Sequence, residues 1–568
     1  MIPHSSGKGM PFQNNYENLV SERSQAHTRL IRDYDGPNPD FDTIVVGSGI
    51  GGGILADDLA EQKPQSRILV VDVGSFVYPT HVYNISRFSN SDVANHFGVD
   101  TFTQTETDQQ FIGGKPQLVF GGRSIFWSGL IPDPQDWELD FFPGTVRSEL
   151  KDEFLLLAGQ RMNGSLTLGS KVRDLVDHFR NSPLADDFFI HETPRALHQP
   201  YLMPDGTPAD KFFVESTGVF NTAELLINQT GLTGPKIDLN GNGLFIKLNS
   251  FVEAVNSVPH DWYEVKTTDT VSGEQRSFYA QKVVIAAGSI ESPKLINRSS
   301  VYTTLPDDIK QLVGFGLTDH PVTAESRAYV TSVGNPRIDI SPHDHAKIIF
   351  YSKGKPGADG NVQYPFNIEM NVNHEYWHLR NNDPSEGLPK NDPTRTVVDI
   401  KFSFANCLDD QNGIHSNAND GYKPSISFKK FAFLDDLLNS RFPAVAGWQM
   451  NTADFMILLN ETRQRIFNEF NDVDPMTPPY GGFYGELWPF GWGTVHHACG
   501  TLRMPWKANR NAPFNARSVV DENLKVHGTT GLYVCDMSVL PISTAANPVR
   551  ALAGLALRLS RYLVNSPQ

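Results

Sequence analysis

The chain is poor in cysteine: Cys407, Cys499 and Cys535 are the only three thiols among its 568 residues. Three thiols cannot cross-link a chain of this length into a disulfide scaffold, and none stands in a Cys-x-x-Cys or Cys/His spacing that would hold zinc. The sequence therefore predicts no metal site and a reducing, cytoplasmic compartment.

Long apolar runs and an excess of positive charge are also missing. No apolar segment approaches the roughly 20 residues that a membrane-spanning helix needs, and the opening stretch "MIPHSSGKGMPFQNN" lacks the apolar core of a secretory signal. With 48 Lys and Arg against 64 Asp and Glu, the formal charge is −16, which disfavours a nucleic-acid partner. We expect a protein that acts on a small molecule, with neither a membrane nor a nucleic acid as partner.

Glycine, by contrast, is concentrated in one early segment, "FDTIVVGSGIGGGILADDLAEQ". It predicts a strand over Thr43–Val46, a glycine-rich loop, and a helix from about Ile50 to Glu61. Gly47, Gly49 and Gly52 stand in the Gly-x-Gly-x-x-Gly spacing, which allows a tight turn, a close approach of the backbone to a pyrophosphate, and close packing of helix on strand. Such a loop places the diphosphate at the helix N-terminus.

A second buried strand, "RILVVDVG", follows and ends in an acid, Asp72, twenty residues after Gly52. A carboxylate at this point of a dinucleotide-binding unit is placed to accept hydrogen bonds from ribose hydroxyls. The sequence therefore predicts an adenine dinucleotide, and at this point NAD and FAD remain equally open.

Four further motifs carry a resemblance to a known family. They are "LVFGGRSIFWSGLIP" (118–132), "VVIAAGSIESPKLI" (283–296), the His-x-x-Gly-Thr element that begins at His497, and "STAANPVRALAGLAL". From about residue 41 to residue 563 the chain resembles the glucose–methanol–choline (GMC) oxidoreductases, which bind FAD. Within that family it is most similar to the pyranose oxidases and bacterial glycoside oxidases.

This resemblance implies an α/β fold (α+β overall): a Rossmann-like FAD-binding domain and a substrate domain built on a mostly antiparallel sheet with helices. The length also suggests more than one packed unit. We expect a polar N-terminal extension over 1–40. The FAD-binding domain is expected over 41–135, 226–325 and 491–568, and the substrate domain over 136–225 and 326–490.

The resemblance also implies the residues that contact the cofactor. These are Gly47, Ser48, Gly49, Gly52, Asp72, Gly122, Ser124, Trp127, Ser128, Val252, Ala287, Gly288, Asp536, Asn547, Pro548 and Val549. Phe126 stands where fungal pyranose oxidases carry the histidine that bonds covalently to the flavin. Phenylalanine cannot form that bond, so FAD is expected to be held non-covalently.

Catalysis is expected from two residues of the C-terminal motifs. The His-x-x-Gly-Thr pattern selects His497 as the base that removes the hydroxyl proton, and places the neighbouring His496 on the opposite face. Asn547 is expected to orient the hydroxyl, and also to cap the terminal helix, with Pro548 in its first turn. The implied reaction oxidises a secondary ring hydroxyl, at C2 or C3 of a pyranose or glycoside, to a ketone. Hydride passes to flavin N5, and O₂ or a quinone is the electron acceptor.

Other expectations concern residues 326–490. Two alternating segments, "FNIEMNV" and "VDIKFSF", predict strands with one buried face, and Thr452–Phe470 is predicted to be helical. The aromatic segments "HEYWHLR" and "YGGFYGELWPFGWG" serve either packing or stacking on a sugar ring. The segment 407–420 lacks strand or helix periodicity and is interpreted as a loop or lid.

Two alternative functions stay open: oxidation of a non-sugar alcohol, and a lyase reaction without net redox change on the same fold. The oligomeric state also stays open.

Overall fold

The computed structural model describes most of the chain between residues 39 and 566. The described residues are 39–76, 99, 101–104, 115–165, 170–196, 219–229, 242–320, 322, 326–334, 337–344, 346–355, 363–364, 366–373, 395–417, 420–427, 452–475, 496–507 and 513–566. The extension over 1–38 and both aromatic segments, 374–380 and 480–493, lie outside these ranges, so the expectations placed on them are not addressed.

A seven-stranded sheet, here called the dinucleotide sheet, forms around the first strand. Along the sheet the strands are Gly243–Lys247, Arg67–Val71, Phe41–Val46, Gln275–Ile285, Trp262–Asp269 and Ser250–Val258, and Leu532–Val534 also pairs with Gln275–Ile285. The first four and Leu532–Val534 pair in parallel, whereas the last two are antiparallel additions. The central parallel strands are rich in Val, Ile and Leu because both of their faces are covered.

Helices cover this sheet. The first, Ile50–Gln62, follows the glycine loop as expected and packs against the C-terminal helix Val549–Asn565. Within the described ranges, the other α-helices are Asp136–Leu139, Gly144–Glu149, Leu155–Arg161, Ser170–Arg180, Thr222–Gln229, Gly288–Arg298, Ser300–Thr304, Asp307–Lys310 and Thr452–Phe467. The segment Leu150–Phe154 is a π-helical turn, and short 3₁₀ turns lie at Gly122–Ile125, Pro183–Asp186, Pro259–Asp261 and Met537–Val539.

A second, six-stranded sheet is antiparallel throughout and is here called the substrate sheet. In order its strands are Asp474–Pro475, Ser326–Val330, Thr396–Phe404, Phe366–Val372, Ala346–Ser352 and Phe188–Glu192. The two architectures together confirm the predicted fold class. The ranges of the two sheets are compatible with the expected domain boundaries, which stay a prediction.

The alternating segments are strands, as expected, but the expectation of one buried face is wrong. All seven residues of Phe366–Val372 are buried, and so are eight of the nine in Thr396–Phe404. The apolar face lies in the core, and the polar face is enclosed because it forms a wall of the main cavity.

Two more expectations need correction. The segment interpreted as a loop or lid contains strands Asn406–Cys407 and Gly413–Asn417, the latter paired with Asp420–Ser427. It escapes a periodicity test because its strands are short and joined by turns. The helix expected over Thr452–Phe470 ends at Phe467, and Phe470–Asn471 pairs as a strand with Ser332–Val333. The other small pairings are Ile338–Asp339 with Ser332–Val333, Thr103–Gln104 with Asp420–Ser427, Asn406–Cys407 with Ile542–Ser543, and Gly164–Ser165 with Arg195–Ala196.

Among the helices of the described ranges, none combines the length and the apolar character that crossing a bilayer requires.

Candidate active site

A cavity of about 730 Å³ lies between the dinucleotide sheet and the substrate sheet. One wall comes from the carboxyl ends of the parallel strands, including Val46, Val71 and Ala286, and from the loops that follow them. Ligands of open α/β sheets bind at this edge. The opposite wall comes from the polar face of the substrate sheet. The volume falls within the range of small-molecule and cofactor pockets.

The glycine loop has the geometry that a pyrophosphate requires. A Cβ at Gly52 would lie 2.1 Å from the carbonyl oxygen of Gly47, so only glycine allows the helix to pack so close to the strand. Gly47 itself has a φ of 104°. At Gly49, by contrast, an added Cβ would meet nothing within 4 Å, because this residue lines the cavity. The first N–H groups of the helix that follows have no partner within the helix, so they are available to an anion.

Asp72 binds the glycine loop as well as lining the cavity. Its carboxylate accepts hydrogen bonds from the backbone and side chain of Ser48, at 2.8 and 2.5 Å, and from the backbone N–H of Gly74 at 2.7 Å. Burial raises its pKa, and these hydrogen bonds oppose that rise. Two carboxylate oxygens offer about four acceptor positions, so capacity remains for a ribose hydroxyl.

Asp536 has a similar double position at the end of Leu532–Val534. Its carboxylate accepts from the backbone N–H of Gly288 at 2.9 Å, from the Ser292 hydroxyl at 2.5 Å and from the backbone N–H of Ser538 at 2.8 Å. It therefore joins the loops that follow two neighbouring parallel strands, and it also lines the cavity.

The Gly-Gly-Arg-Ser loop is fixed through Ser124 and Trp127. The Ser124 hydroxyl donates to the Gly121 carbonyl at 2.6 Å and accepts from the backbone N–H of Thr222 at 3.0 Å. Trp127 Nε1 donates to the Phe220 carbonyl at 2.7 Å. This loop brings Phe126 into the cavity lining. Phe126 stands at the position where fungal pyranose oxidases carry the histidine that bonds to the flavin.

The structure brings most of the expected site residues into this one cavity. Those that line it are Gly47, Ser48, Gly49, Asp72, Gly122, Ser124, Trp127, Ser128, Val252, Ala287, Gly288, His497, Asp536, Asn547 and Val549. Gly52 and Pro548 are not part of the lining; Gly52 packs against Gly47 and Ala286 instead.

Two short segments pair so that two histidines face each other. Thr318 and Cys499 exchange backbone hydrogen bonds as an antiparallel bridge, which places His320 directly opposite His497. The ring centroids lie 5.2 Å apart. Asp319 fixes the backbone of both histidines, because its Oδ1 accepts a hydrogen bond from the N–H of His320 at 2.8 Å and another from the N–H of His497 at 3.0 Å.

Both facing imidazoles are held neutral. Burial, followed by the neighbouring His320 and His496 rings and the charges of Arg123 and Lys401, holds the pKa of His497 well below its usual value. Burial likewise lowers the pKa of His320 to about 3. His497 Nδ1 and both ring nitrogens of His320 have no hydrogen-bond partner among the described residues. These are acceptor and donor groups directed at a ligand-sized space.

His496 is exposed, with a φ of 63°, and its carbonyl accepts from Arg123. It also contributes to the cavity lining, so its separation from the site is less complete than the sequence predicts.

Asn547 lines the cavity, but its expected role as a helix cap is wrong. The helix begins at Val549, Pro548 is the cap residue, and no side chain caps the helix. The backbone before Asn547 is held by a distant residue instead, because Glu138 Oε1 accepts a hydrogen bond from the backbone N–H of Ala546 at 3.0 Å. Glu138 is buried, and burial raises its pKa to about 7 against the opposing hydrogen bonds from Gln135, Ala546 and Ala545.

Sequence reasoning missed His320 and the polar wall of the substrate sheet. The wall contains Lys347, Glu369, Asn371, Lys401 and Ser403. The alternation of "FNIEMNV" does signal these polar positions, but alternation alone predicts an outer face for them. His320 had no signal beyond the Asp-His pair in "LTDHP".

The cavity wall formed by the dinucleotide sheet has the groups that an adenine dinucleotide needs. They are an open glycine backbone, a helix N-terminus and two acids with remaining acceptor capacity.

Residues 490–556 match the family model described as GMC oxidoreductase. A pyranose dehydrogenase from Agaricus campestris is 22% identical over 614 residues, covering 91% of this chain and 93% of that protein.

Solved structures share the fold. Pyridoxine 4-oxidase from Mesorbium loti superposes with a TM-score of 0.57 at 16% identity, covering 93% of this chain and 100% of that one. A structure on the effect of a mutation on FAD modification in Aspergillus oryzae formate oxidase gives a TM-score of 0.55 at 15% identity, covering 92% and 98%. The resemblance to the GMC oxidoreductases is thus confirmed, and it supports an oxidoreductase enzyme.

Proposed function

We propose that the protein binds FAD non-covalently and oxidises a secondary hydroxyl, at C2 or C3, of a pyranose or glycoside to a ketone. The observation that carries this proposal is that His497 and Asn547 line one cavity together with the glycine loop. O₂ or a quinone is the proposed final electron acceptor, and a cytoplasmic location fits the reduced state of three buried free thiols.

His497 is the proposed base. A base must be unprotonated before the reaction, and the depressed pKa of this imidazole keeps it so at neutral pH. The Asp319 carboxylate holds its backbone in place, which fixes the starting position of the ring. When bound, FAD supplies the acceptor for the hydride that leaves the same carbon.

Asn547 is the proposed orienting residue. Its amide can donate to and accept from a hydroxyl but cannot remove the proton. The hydrogen bond from Ala546 to the buried carboxyl group of Glu138 holds the adjacent backbone, so the position of Asn547 depends on a residue outside the cavity lining.

A sugar is favoured over a simple alcohol by the opposite wall. His320, Asn371 Oδ1 and Ser403 Oγ present buried polar atoms without hydrogen-bond partners among the described residues. Such atoms are costly unless a ligand satisfies them, and several hydroxyls on one ring would do so. The similarity to a pyranose dehydrogenase supports the same substrate class. Phe126 in the cavity lining supports non-covalent attachment, because its ring offers no nucleophile.

The test is a visible spectrum of the purified protein, recorded without oxygen before and after addition of glucose or a glucosyl glycoside. We expect a flavin spectrum that sugar bleaches, and acid precipitation should release the flavin into the supernatant. A flavin that only a non-sugar alcohol bleaches would overturn the substrate class. A flavin that stays with the precipitated protein would overturn non-covalent binding.

A further inference from the structure

The polar wall of the substrate sheet contains a buried carboxylate in an unusual setting. Glu369 is 2% exposed, in the middle of Phe366–Val372, and it lines the cavity. Strand register places Lys401 directly opposite it, and Glu369 Oε2 lies 3.0 Å from Lys401 Nζ and 4.0 Å from Lys347 Nζ. Burial raises the pKa of Glu369, but the two lysines outweigh burial and lower it overall, so the carboxylate is ionised.

Such an ion pair does little for stability alone. Removing two opposite charges from water costs about as much as their attraction returns, and an apolar pair of similar volume would often be more stable. The opposite face of the same strand is apolar, because Phe366, Ile368 and Met370 are fully buried in the core. A charged pair at this position therefore points to a ligand.

The chemistry of the wall matches neighbouring hydroxyl groups. A carboxylate accepts hydrogen bonds and an ammonium donates them, whereas each hydroxyl does both. Two adjacent hydroxyls on a ring can therefore satisfy Glu369 and Lys401 together. Asn371, whose amide donates to Asp399 at 2.6 Å, has its Oδ1 unpartnered among the described residues, two positions further along the same face.

We propose that Glu369, paired with Lys401, is the main specificity determinant of the active site and accepts hydrogen bonds from two neighbouring ring hydroxyls away from the carbon that is oxidised. This inference rests on the proposed function, because it assumes that a pyranose occupies the cavity. The two groups of residues then have different roles. His497 and Asn547 act on the reacting hydroxyl, and the substrate sheet selects the ring that carries this hydroxyl.

The test compares Glu369→Gln and Glu369→Asp with a matched control, Glu192→Gln. Glu192 is also buried, lies in the same sheet opposite Ile348, and does not line this cavity. Each holoenzyme is first checked for flavin content and thermal midpoint. Binding is then measured by calorimetry with the pyranose analogue that lacks the reacting hydroxyl, and the rate of flavin bleaching by the parent pyranose is measured without oxygen.

We expect Glu369→Gln to weaken binding of the analogue by about 10- to 100-fold, because a hydrogen bond to a charged group is lost. The limiting rate of bleaching should change much less. Glu369→Asp, which keeps the charge, should recover part of the affinity, and Glu192→Gln should bind as wild type does. A second set of analogues lacks one of the other hydroxyls in turn. Those lacking a contacted hydroxyl should lose no further affinity in the Glu369→Gln protein.

The outcomes separate the two proposals. If a pyranose bleaches the flavin but Glu369→Gln binds the analogue as Glu192→Gln does, the specificity role is wrong and the proposed function stands. If no pyranose bleaches the wild-type flavin, the proposed function fails, and the specificity role fails with it. If Glu369→Gln does not fold, the affinities of Glu369→Asp for the analogue series test the specificity role in its place.

Discussion

The two walls of the cavity are built from different parts of the polypeptide. On the dinucleotide side, backbone groups face the cavity. The carboxylates of Asp72 and Asp536 on this side accept most of their hydrogen bonds from neighbouring loops of the protein itself. On the substrate side, side chains face the cavity, and His320 and Ser403 find no partner among the described residues.

This difference separates a general function from a particular one. A backbone cradle binds what all dinucleotides share, the pyrophosphate, and it tolerates little change in sequence because its shape depends on missing side chains. A side-chain wall binds what distinguishes one substrate from another, and exchanging a few residues can alter it without altering the fold. Four sets of experiments test this contrast.

The largest effect is expected from His497→Ala, which removes the proposed base. Loss of a general base lowers rates by about 10²- to 10⁴-fold, and we expect this loss in the anaerobic rate of flavin bleaching. Asn547→Ala removes one neutral hydrogen bond and should cost about tenfold. Equal losses for the two variants would contradict the assignment of the base to His497 alone. His496→Ala, at the exposed neighbour, serves as the comparison and should lose far less.

A large effect is also expected when a methyl group is added to the backbone wall. In Gly52→Ala the new Cβ meets the Gly47 carbonyl, so unfolding should require about 1–3 kcal/mol less free energy. In Gly49→Ala the Cβ enters open space, so the apoprotein should keep its stability while FAD affinity falls. Denaturant unfolding of apoprotein and titration with FAD measure the two quantities. A stable Gly52→Ala protein would contradict the close packing described here.

A smaller effect is expected from Glu138→Gln, and it should depend on pH. The folded-state pKa of about 7 lies above the ordinary value of 4.5, so the contribution of Glu138 is fully present below about pH 4.5 and is lost as pH rises through 7. The amide does not titrate. The difference in unfolding free energy between wild type and variant should therefore shrink by roughly 2 kcal/mol between about pH 5 and about pH 8. A difference that is constant with pH would show that Glu138 is ionised throughout.

The smallest effect concerns the acid limb of the rate profile. Because the pKa of His497 is depressed, kcat/KM should stay level as pH falls below about 6.5 and decline only at lower pH. His320, with a pKa of about 3, is itself neutral over this range, so replacing it with Gln should leave the position of the decline nearly unchanged. A wild-type profile that already declines with an apparent pKa near 6.5 would show that His497 is solvated in the holoenzyme.

Much of the dinucleotide wall could be predicted because its determinants are local. Gly47, Gly49 and Asp72 lie within one strand–helix–strand unit, where spacing along the chain fixes spacing in the fold. The substrate wall depends instead on which strands pair and in what register. His320 faces His497 because Thr318 and Cys499 form an isolated β-bridge. The two histidines are about 180 residues apart in the sequence, so no local pattern predicts this contact.

Two misinterpretations have the same origin. Alternation identified Phe366–Val372 as a strand but could not say whether its polar face met water or an enclosed cavity. At Asn547 the residue type suggested a cap, and the actual cap is one residue later because Glu138, far away in sequence, holds the preceding backbone.

The strand Leu532–Val534 has a consequence for how the protein is made. It pairs in parallel with Gln275–Ile285, and the helix Val549–Asn565 packs on Ile50–Gln62, so elements from early and late in synthesis share one core. A ribosome must translate some 480 residues after the glycine loop before that core can close. During this interval the apolar surface of the first helix has no native cover from the C-terminal helix. Nascent chains stalled before residue 532 should therefore depend on chaperones and be sensitive to proteases, even though their glycine loop is complete.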